Sequence, residues 1–265
     1  MGGIALKNAR VTDRGFAYDR RWMLVDESNL FISQREVAEM ALMDVAIEKD
    51  GLRVTYRPQN SSIIIPFESQ THEFVEVTIW DDTCTGQFVG YEADQWFSKM
   101  LGMNCRLVYM ADNSHRITDQ RYAPENSITS FSDAYPFLLI GQASLDELNT
   151  RLDEPLPMNR FRPNIVFTGG EPFAEDMMHS FTIGDVLFYG VKLCARCNIP
   201  TIDQTTAKSG KEPLKTLARY RFKNNKIMFG QNLIHEGTGE IAVGDELRVL
   251  KLNDDERFLI SASRP

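Results

Sequence analysis

The feature that most limits the fold of this chain is a succession of short apolar runs, each ended by turn-forming residues. Asp50-Gly51 separates residues 45–47 from residues 52–54, which predicts a β-hairpin. Residues 74–80 alternate apolar and polar side chains, the period of a strand with one buried face. Repeated along the chain, this pattern predicts a fold built mainly from short strands.

Helical patterns are few by comparison. Residues 94–101 place their large apolar side chains on one face, and Gly102 follows where a helix C-cap is expected. Ser144 and Glu147 have the spacing of a capping box, and Pro213 begins a short basic helix. Because strands and helices do not alternate, we expect a mixed α/β, β-rich barrel architecture with short peripheral helices. A doubly wound sheet is disfavoured.

The length and the distribution of polar residues suggest two domains. Residues 111–130 of the 265 are polar and irregular, so we predict one domain over residues 1–115 and a second over residues 116–265. No apolar run approaches the length that spans a bilayer, and no signal peptide is recognisable at the N-terminus. The sequence therefore predicts a cytoplasmic protein that is not inserted in a membrane.

Charge is unevenly distributed. The net charge of −8 argues against a general nucleic-acid-binding protein. Residues 192–226 nevertheless carry nine basic side chains, opposed only by Asp203 and Glu212. Such a basic segment indicates either a local anionic ligand, such as a phosphate, or an ordinary solvated surface.

Cysteine spacing narrows the possible chemistry. The cysteines are Cys84, Cys105, Cys194 and Cys197. The wide separation of the first two argues against a four-sulfur zinc site. Lys192 and Arg196 flank the close pair, and nearby cations favour a thiolate that acts as a nucleophile or a soft-metal ligand. The alternative is two buried cysteines that serve as small apolar side chains.

Arginines stand beside predicted strands at two places. Arg160 and Arg162 come just before one strand, and Arg20 and Arg21 come just before another. A guanidinium at the end of a strand can bind a phosphate through two hydrogen bonds, but a surface salt bridge would produce the same pattern.

A set of motifs resembles a known family. The second half is similar to MOSC domains of the branch that contains the amidoxime-reducing components. The matching stretches are residues 132–137 (SDAYPF), 144–149 (SLDELN), 160–165 (RFRPNI), 183–185 (IGD), 194–197 (CARC), 211–217 (KEPLKTL), 220–221 (YR) and 229–231 (FGQ). Residues 19–25 (DRRWMLV) resemble the N-terminal β-barrel domain that accompanies MOSC in this branch. The resemblance implies an N-terminal β-barrel domain followed by a MOSC β-barrel domain.

This resemblance also implies a molybdenum–molybdopterin cofactor. Cys197 matches the family cysteine that binds the metal, and Asp133 falls in the active-site segment. Both are therefore expected to be catalytic. The positions expected to contact the cofactor are Arg20, Arg162, Asn164, Arg196 and Arg221. The family is also associated with pyridoxal phosphate binding, but the resemblance assigns no residue of this chain to that ligand.

The implied activity is the reduction of N-hydroxylated compounds, such as amidoximes, hydroxylamines and N-hydroxylated bases. The alternative is a sulfur or molybdopterin carrier, or a binding protein, that uses Cys197 without turnover. Because no ferredoxin-type cysteine run is present, electrons are expected to come from a separate flavin, iron–sulfur or haem protein.

Two departures from the family pattern bear on these expectations. The family's first strand ends in a Pro-Ile-Lys-Ser-like stretch that helps bind the cofactor phosphate, and the N-terminal domain here is expected to lack that strand. Tyr135 stands where relatives can carry a small hydroxyl side chain, so the sequence predicts a narrower pocket or an altered substrate preference.

Overall fold

The computed structural model describes residues 1–69, 71–124 and 126–260. The strands are β1 (Asn8–Thr12), β2 (Gly15–Phe16), β3 (Trp22–Val25), β4 (Met43–Ile47), β5 (Gly51–Tyr56), β6 (Ser61–Pro66), β7 (Phe74–Ile79), β8 (Asp82–Phe88), β9 (Arg106–Tyr109), β10 (Arg116–Ile117), β11 (Ile128–Thr129), β12 (Phe137–Gly141), β13 (Ile165–Phe167), β14 (Met178–Ile183), β15 (Val186–Ala195), β16 (Phe222–Lys223), β17 (Lys226–Glu236), β18 (Gly239–Ala242) and β19 (Leu247–Leu252). The α-helices are α1 (Tyr91–Leu101), α2 (Gln142–Asn149) and α3 (Leu214–Leu217). Short 3-10 helices span Ala38–Leu42, Arg57–Gln59, Met158–Arg160, Ala174–Met177, Ile199–Thr201 and Glu256–Phe258.

Most strands form sheets that lie within one half of the chain, apart from a small sheet in the order β18-β1-β2. The first half contains a sheet in the order β3-β9-β8-β7 and a sheet in the order β4-β5-β6. The second half contains one large sheet in the order β13-β12-β17-β15-β14-β19, with β16 paired to β17. The predicted β-rich fold with short helices is therefore confirmed. No helix in the described ranges has the length and apolarity needed to cross a bilayer.

A strand from the start of the chain completes the second half. β1 pairs antiparallel with β18, with Asn8 opposite Ala242 and Val11 opposite Gly239. Val11 is buried in the apolar core that the large sheet forms. Conversely, Phe131, which follows β11, packs into the core of the first half. The two halves therefore exchange segments, while the predicted division near residue 115 remains a prediction.

Local sequence signals predicted several elements well. The hairpin at Asp50-Gly51 is present as β4 and β5. Helix α1 ends at Gly102, whose φ of 66° is left-handed and suits glycine. The helix begins at Tyr91, three residues before the predicted start. Asp94 lies inside it and accepts hydrogen bonds from the Leu107 backbone nitrogen (2.8 Å) and from the Arg106 Nε (2.9 Å).

The predicted capping box at the start of α2 is wrong. Gly141 is the N-cap, and Ser144 lies one turn into the helix, fully buried. The Ser144 hydroxyl donates to the Glu175 carboxylate (2.8 Å) and accepts from the Phe173 backbone nitrogen (2.7 Å). Glu175 also accepts from the Gly141 nitrogen (3.2 Å), so the helix is capped by a carboxylate distant in sequence.

A buried ion pair lies beneath the large sheet. Arg221 donates to the Asp176 carboxylate (2.6 Å) and to the Met228 carbonyl (3.1 Å), and its guanidinium lies 4.1 Å from the Phe173 ring centre. Burial raises the pKa of Asp176 to about 7, although Arg221 opposes the rise. Arg221 therefore compensates a charge that is costly to bury.

We expect Arg221→Met to lower the free energy of unfolding by about 3–5 kcal/mol at pH 8, because it leaves Asp176 buried without a partner. The loss should shrink towards pH 5, since a carboxyl with a raised pKa is protonated there and buries no charge. Urea unfolding at both pH values measures the difference. Arg151→Met is the matched control, because Arg151 pairs with Glu147 and lies 4.2 Å from the Tyr220 ring centre but is half exposed. An equal loss in both variants would contradict the explanation.

Candidate active site

The predicted metal-binding cysteine lies just beyond the end of a strand. Cys194 is in β15, and Cys197 follows two residues after that strand ends. Between them, the Arg196 backbone nitrogen donates to the Ile227 carbonyl (2.8 Å) of β17. This bond fixes the segment against the sheet and leaves the Cys197 side chain half-buried.

Arg196 links the cysteine segment to the chain before β13. Its guanidinium donates to the Phe161 carbonyl (2.7 Å) and to the Cys194 sulfur (3.1 Å). Phe161 is buried and stacks on Phe229 with 4.4 Å between ring centres, so the acceptor carbonyl is held rigidly. Burial raises the pKa of the Cys194 thiol, and Arg196 opposes the rise.

Asn164 connects this segment to the first half of the chain. Its side-chain oxygen accepts from the Leu138 nitrogen (3.1 Å), and its backbone nitrogen donates to the Leu138 carbonyl (2.9 Å). Its side-chain nitrogen donates to the Asp19 carboxylate (2.7 Å). Asp19 also pairs with Arg20 at 2.5 Å, which raises the pKa of that guanidinium. Asn164 thus sets the position of Arg20 through the carboxylate that both contact.

Arg20 and Arg162 face the same space. Arg20 Nη2 lies 3.5 Å from the Arg162 carbonyl oxygen, and both residues have left-handed backbone conformations, with φ of 50° and 57°. The Arg162 guanidinium donates to the Met1 carbonyl (2.7 Å) and lies 3.4 Å from the Gln34 side-chain oxygen. Burial and the charge of Arg20 lower the pKa of Arg162 to about 10. The region is therefore strongly positive.

Asp133 stands at the edge of this space, on a loop held by a buried arginine. Arg116 donates to the carbonyls of Ser130 (3.2 Å), Ser132 and Asp133 (3.1 Å), and it pairs with Asp82 (2.7 Å). The Asp133 side chain is 64% exposed, and its carboxylate accepts from Arg35 Nη2 (2.7 Å). The loop is thus fixed by backbone contacts, and the carboxylate faces the opening.

Sequence reasoning missed Arg35, which belongs to the site. It lies in the loop after β3, and its guanidinium lies 4.2 Å from the Trp80 ring centre. Burial lowers the pKa of Arg35, but the Asp133 carboxylate and the nearby Cys197 side chain outweigh it and leave a net rise. Arg35 comes soon after a short strand-like run, much as Arg20 and Arg162 stand beside strands. This position at the end of a strand is the sequence signal that could have identified Arg35 as a site residue.

Other predicted features lie elsewhere. Arg221 is engaged with Asp176, and none of its described contacts is to the other site residues. Tyr135 is buried in a small core with Val191 and Ile234. The basic segment does not form one patch: Arg196 enters the site, whereas five side chains are exposed. These are Lys208, Lys211, Lys215, Arg219 and Lys226.

The residues present suit a bound anionic cofactor that carries a soft metal. Two guanidinium nitrogens, Arg35 Nη1 and Arg196 Nε, are buried and have no hydrogen-bond partner among the described residues. Buried donors of this kind are normally satisfied by a ligand or by water. A thiolate suits a soft metal, and guanidinium groups suit phosphate. Cys197 would then hold the metal, and Arg20, Arg162 and Arg196 would bind the anionic part.

Comparison with known proteins agrees with the fold. Residues 1–104 match the MOSC N-terminal beta barrel domain, and residues 126–248 match the MOSC domain. A MOSC domain preceded by this β-barrel domain therefore defines the class of protein.

Over 266 residues the chain is 32% identical to mitochondrial amidoxime-reducing component 1 of Mus musculus, covering 94% of this chain and 78% of that protein. It is 30% identical to the Homo sapiens counterpart, covering 94% and 79%. It is 29% identical to the molybdenum cofactor sulfurase of Oryza sativa subsp. japonica, covering 93% of this chain but 33% of that protein. The chain belongs to the MOSC-domain family that includes the amidoxime-reducing components.

We expect Arg116→Lys to lower the free energy of unfolding by about 2 kcal/mol, because a lysine cannot donate to three carbonyls and a carboxylate together. Amide hydrogen exchange in residues 130–133 should accelerate as the loop loosens. Arg121→Lys is the control, since Arg121 forms an exposed pair with Asp119 and should change stability little. Unchanged exchange in the loop would show that Arg116 does not hold it.

Proposed function

We propose that this protein is a molybdenum-cofactor-dependent oxidoreductase that removes the oxygen atom from N-hydroxylated compounds. The observation that carries the proposal is the half-buried Cys197 thiol beside a group of arginines that only two carboxylates oppose among the described residues. The arginines are Arg20, Arg35, Arg162 and Arg196, and the carboxylates are Asp19 and Asp133. Such an excess of buried positive charge favours an anionic ligand.

Each residue has a distinct role in this proposal. The Cys197 thiolate binds the metal, while Arg20, Arg162 and Arg196 bind the phosphate and the pterin. Asn164 fixes Arg20 through their shared contact with Asp19. When bound, the molybdenum cofactor supplies the two-electron redox chemistry of oxygen removal.

The reaction breaks one N–O bond and consumes two electrons and two protons. The products are the amine or amidine and water. Asp133 lies at the exposed edge of the site, where it can take part in proton transfer between solvent and the departing oxygen. The electrons come from a separate donor protein of the flavin, iron–sulfur or haem type.

The relatives support this choice of reaction. Two of them are named as amidoxime-reducing components and match most of this chain. A third is named as a molybdenum cofactor sulfurase, which is consistent with the same cofactor in a different role. Because the first two are named as mitochondrial, the cytoplasmic location remains a prediction.

The direct test is the molybdenum content of the protein and of Cys197→Ser, both prepared in a host that makes the cofactor. We expect near-stoichiometric molybdenum in the wild type, and loss of the metal and of benzamidoxime reduction in the variant. Elemental mass spectrometry and an electron-donor assay measure the two quantities. Cys84→Ala is the control, because that thiol lies in the core of the first half and should not affect metal content.

Two other outcomes would contradict the proposal. A folded wild type without molybdenum, but with one extra sulfur on Cys197 that a thiol removes, would identify a sulfur carrier. Bound molybdopterin without any reduction of N-hydroxylated compounds would identify a cofactor carrier or binding protein.

The roles of the arginines predict a second result. Arg162→Met should weaken cofactor retention roughly ten- to hundredfold, since a charge-assisted hydrogen bond contributes about 1.5–3 kcal/mol. Molybdenum that remains after dialysis measures retention, and the loss should increase with salt. Arg121→Met is the control, because that guanidinium is exposed and pairs only with Asp119 among the described carboxylates. Equal retention in the two variants would remove Arg162 from the cofactor site.

A further inference from the structure

Arg35 differs from the other arginines of the site in its partners. Arg20 and Arg196 reach the carbonyls of residues 161 and 162, on the segment that precedes β13. Arg35 instead contacts Trp80 and Asp133, and it lies close to Cys197. It therefore forms a second wall of the site, contributed by the first half of the chain.

This second wall is the side that opens to solvent. Trp80 is 47% exposed, and the Asp133 side chain is 64% exposed. The Arg35 side chain between them is only 17% exposed. A cofactor that stays bound is expected to be held by enclosed groups, whereas a substrate must enter from the open side. The position of Arg35 therefore suits contact with a substrate.

The Arg35 guanidinium is fixed in orientation, but one of its nitrogens, Nη1, remains available as a hydrogen-bond donor. Trp80 covers one face of its plane, and Asp133 accepts from Nη2 at 2.7 Å. Nη1 is buried and makes no hydrogen bond of full geometry within the described ranges, and the Cys197 side chain also lies within reach of the guanidinium. A buried cationic donor without a partner is costly, so a ligand that supplies an acceptor there gains free energy.

We propose that Arg35 binds the substrate oxygen, donating a hydrogen bond from Nη1 to the oxygen of the N–O bond beside Cys197. Trp80 and Asp133 act as positioning residues that hold the guanidinium plane. This inference rests on the proposed function and adds to it a specificity-determining residue. It also explains how the site would prefer an N-hydroxylated compound to its product, which lacks that oxygen.

The substrate class follows from the charges. An N-hydroxylated compound that is neutral at the pH of the reaction offers an acceptor oxygen without bringing a positive charge towards Arg35. The amidine product is a cation that has lost the acceptor, so Arg35 repels it. The same side chain therefore favours substrate binding and product release.

The test uses the cofactor-loaded protein without an electron donor, so that binding is measured without turnover. For Arg35→Gln, the Kd of benzamidoxime in calorimetry should rise roughly ten- to hundredfold, the loss of one charge-assisted hydrogen bond. Benzamidine should bind as well as before or more tightly, because a repelling charge has been removed. Molybdenum content should equal that of the wild type.

Two variants of Trp80 and one control variant separate positioning from a general structural effect. Trp80→Ala should raise the KM for benzamidoxime, with a smaller change in kcat, and Trp80→Phe should restore much of the loss because it keeps an aromatic face. Arg121→Gln is the matched control, since Arg121 also pairs with an aspartate and lies 5.8 Å from an aromatic ring centre, that of Tyr122, but at an exposed site. It should leave both dissociation constants unchanged.

Each contrary result has a distinct meaning. Loss of molybdenum in Arg35→Gln would make Arg35 a cofactor holder and overturn the inference. An unchanged Kd for benzamidoxime, or an equal weakening for benzamidine, would also overturn it. If the wild type binds no molybdenum or does not reduce benzamidoxime, the proposed function itself fails, and that failure is seen before any variant is compared.

Discussion

Repulsion among clustered guanidinium groups is the constraint on which the rest of the site depends. Arg20 and Arg162 lie in one partly enclosed space, and the lowered pKa of Arg162 reflects both burial and its cationic neighbour. Folding must oppose that repulsion with fixed acceptors, and it uses the Asp19 carboxylate together with backbone carbonyls such as that of Phe161. The remaining positive charge can be relieved by an anionic ligand, so ligand binding and stability are coupled.

This constraint explains why neither half of the chain forms the site alone. Asn164 reaches Asp19 across the boundary between halves, and Arg116 of the linking region holds the loop that carries Asp133. Pairing of β1 with β18 keeps the start of the chain beside the large sheet. The left-handed backbone of Arg20 and Arg162 costs roughly 1–3 kcal/mol each, and it persists because these long-range contacts determine it.

Features that depend on local contacts were predicted from the sequence, whereas features that depend on long-range contacts were not. The β4–β5 hairpin and the end of α1 follow from turn and capping preferences, which act over a few residues. Ser144 has the local spacing of an N-cap, but the first amide of that helix, at Gly141, donates to Glu175, 34 residues away in sequence. Arg221 and Arg35 show the same effect, because an arginine's role depends on which carboxylate the fold brings to it. The prediction that Cys197 is the metal ligand came from family motifs, since cysteine spacing alone left two interpretations open.

The two neighbouring cysteines then divide their roles by position. The Cys194 sulfur accepts a hydrogen bond from Arg196, and burial raises the pKa of that thiol although Arg196 opposes the rise. Cys197 lies two residues past the end of β15, and Arg35 lies close to it. In the proposed function Cys197 is the metal ligand, and Arg196, which stands between the two cysteines, would join the metal position to the arginines that bind the anionic part.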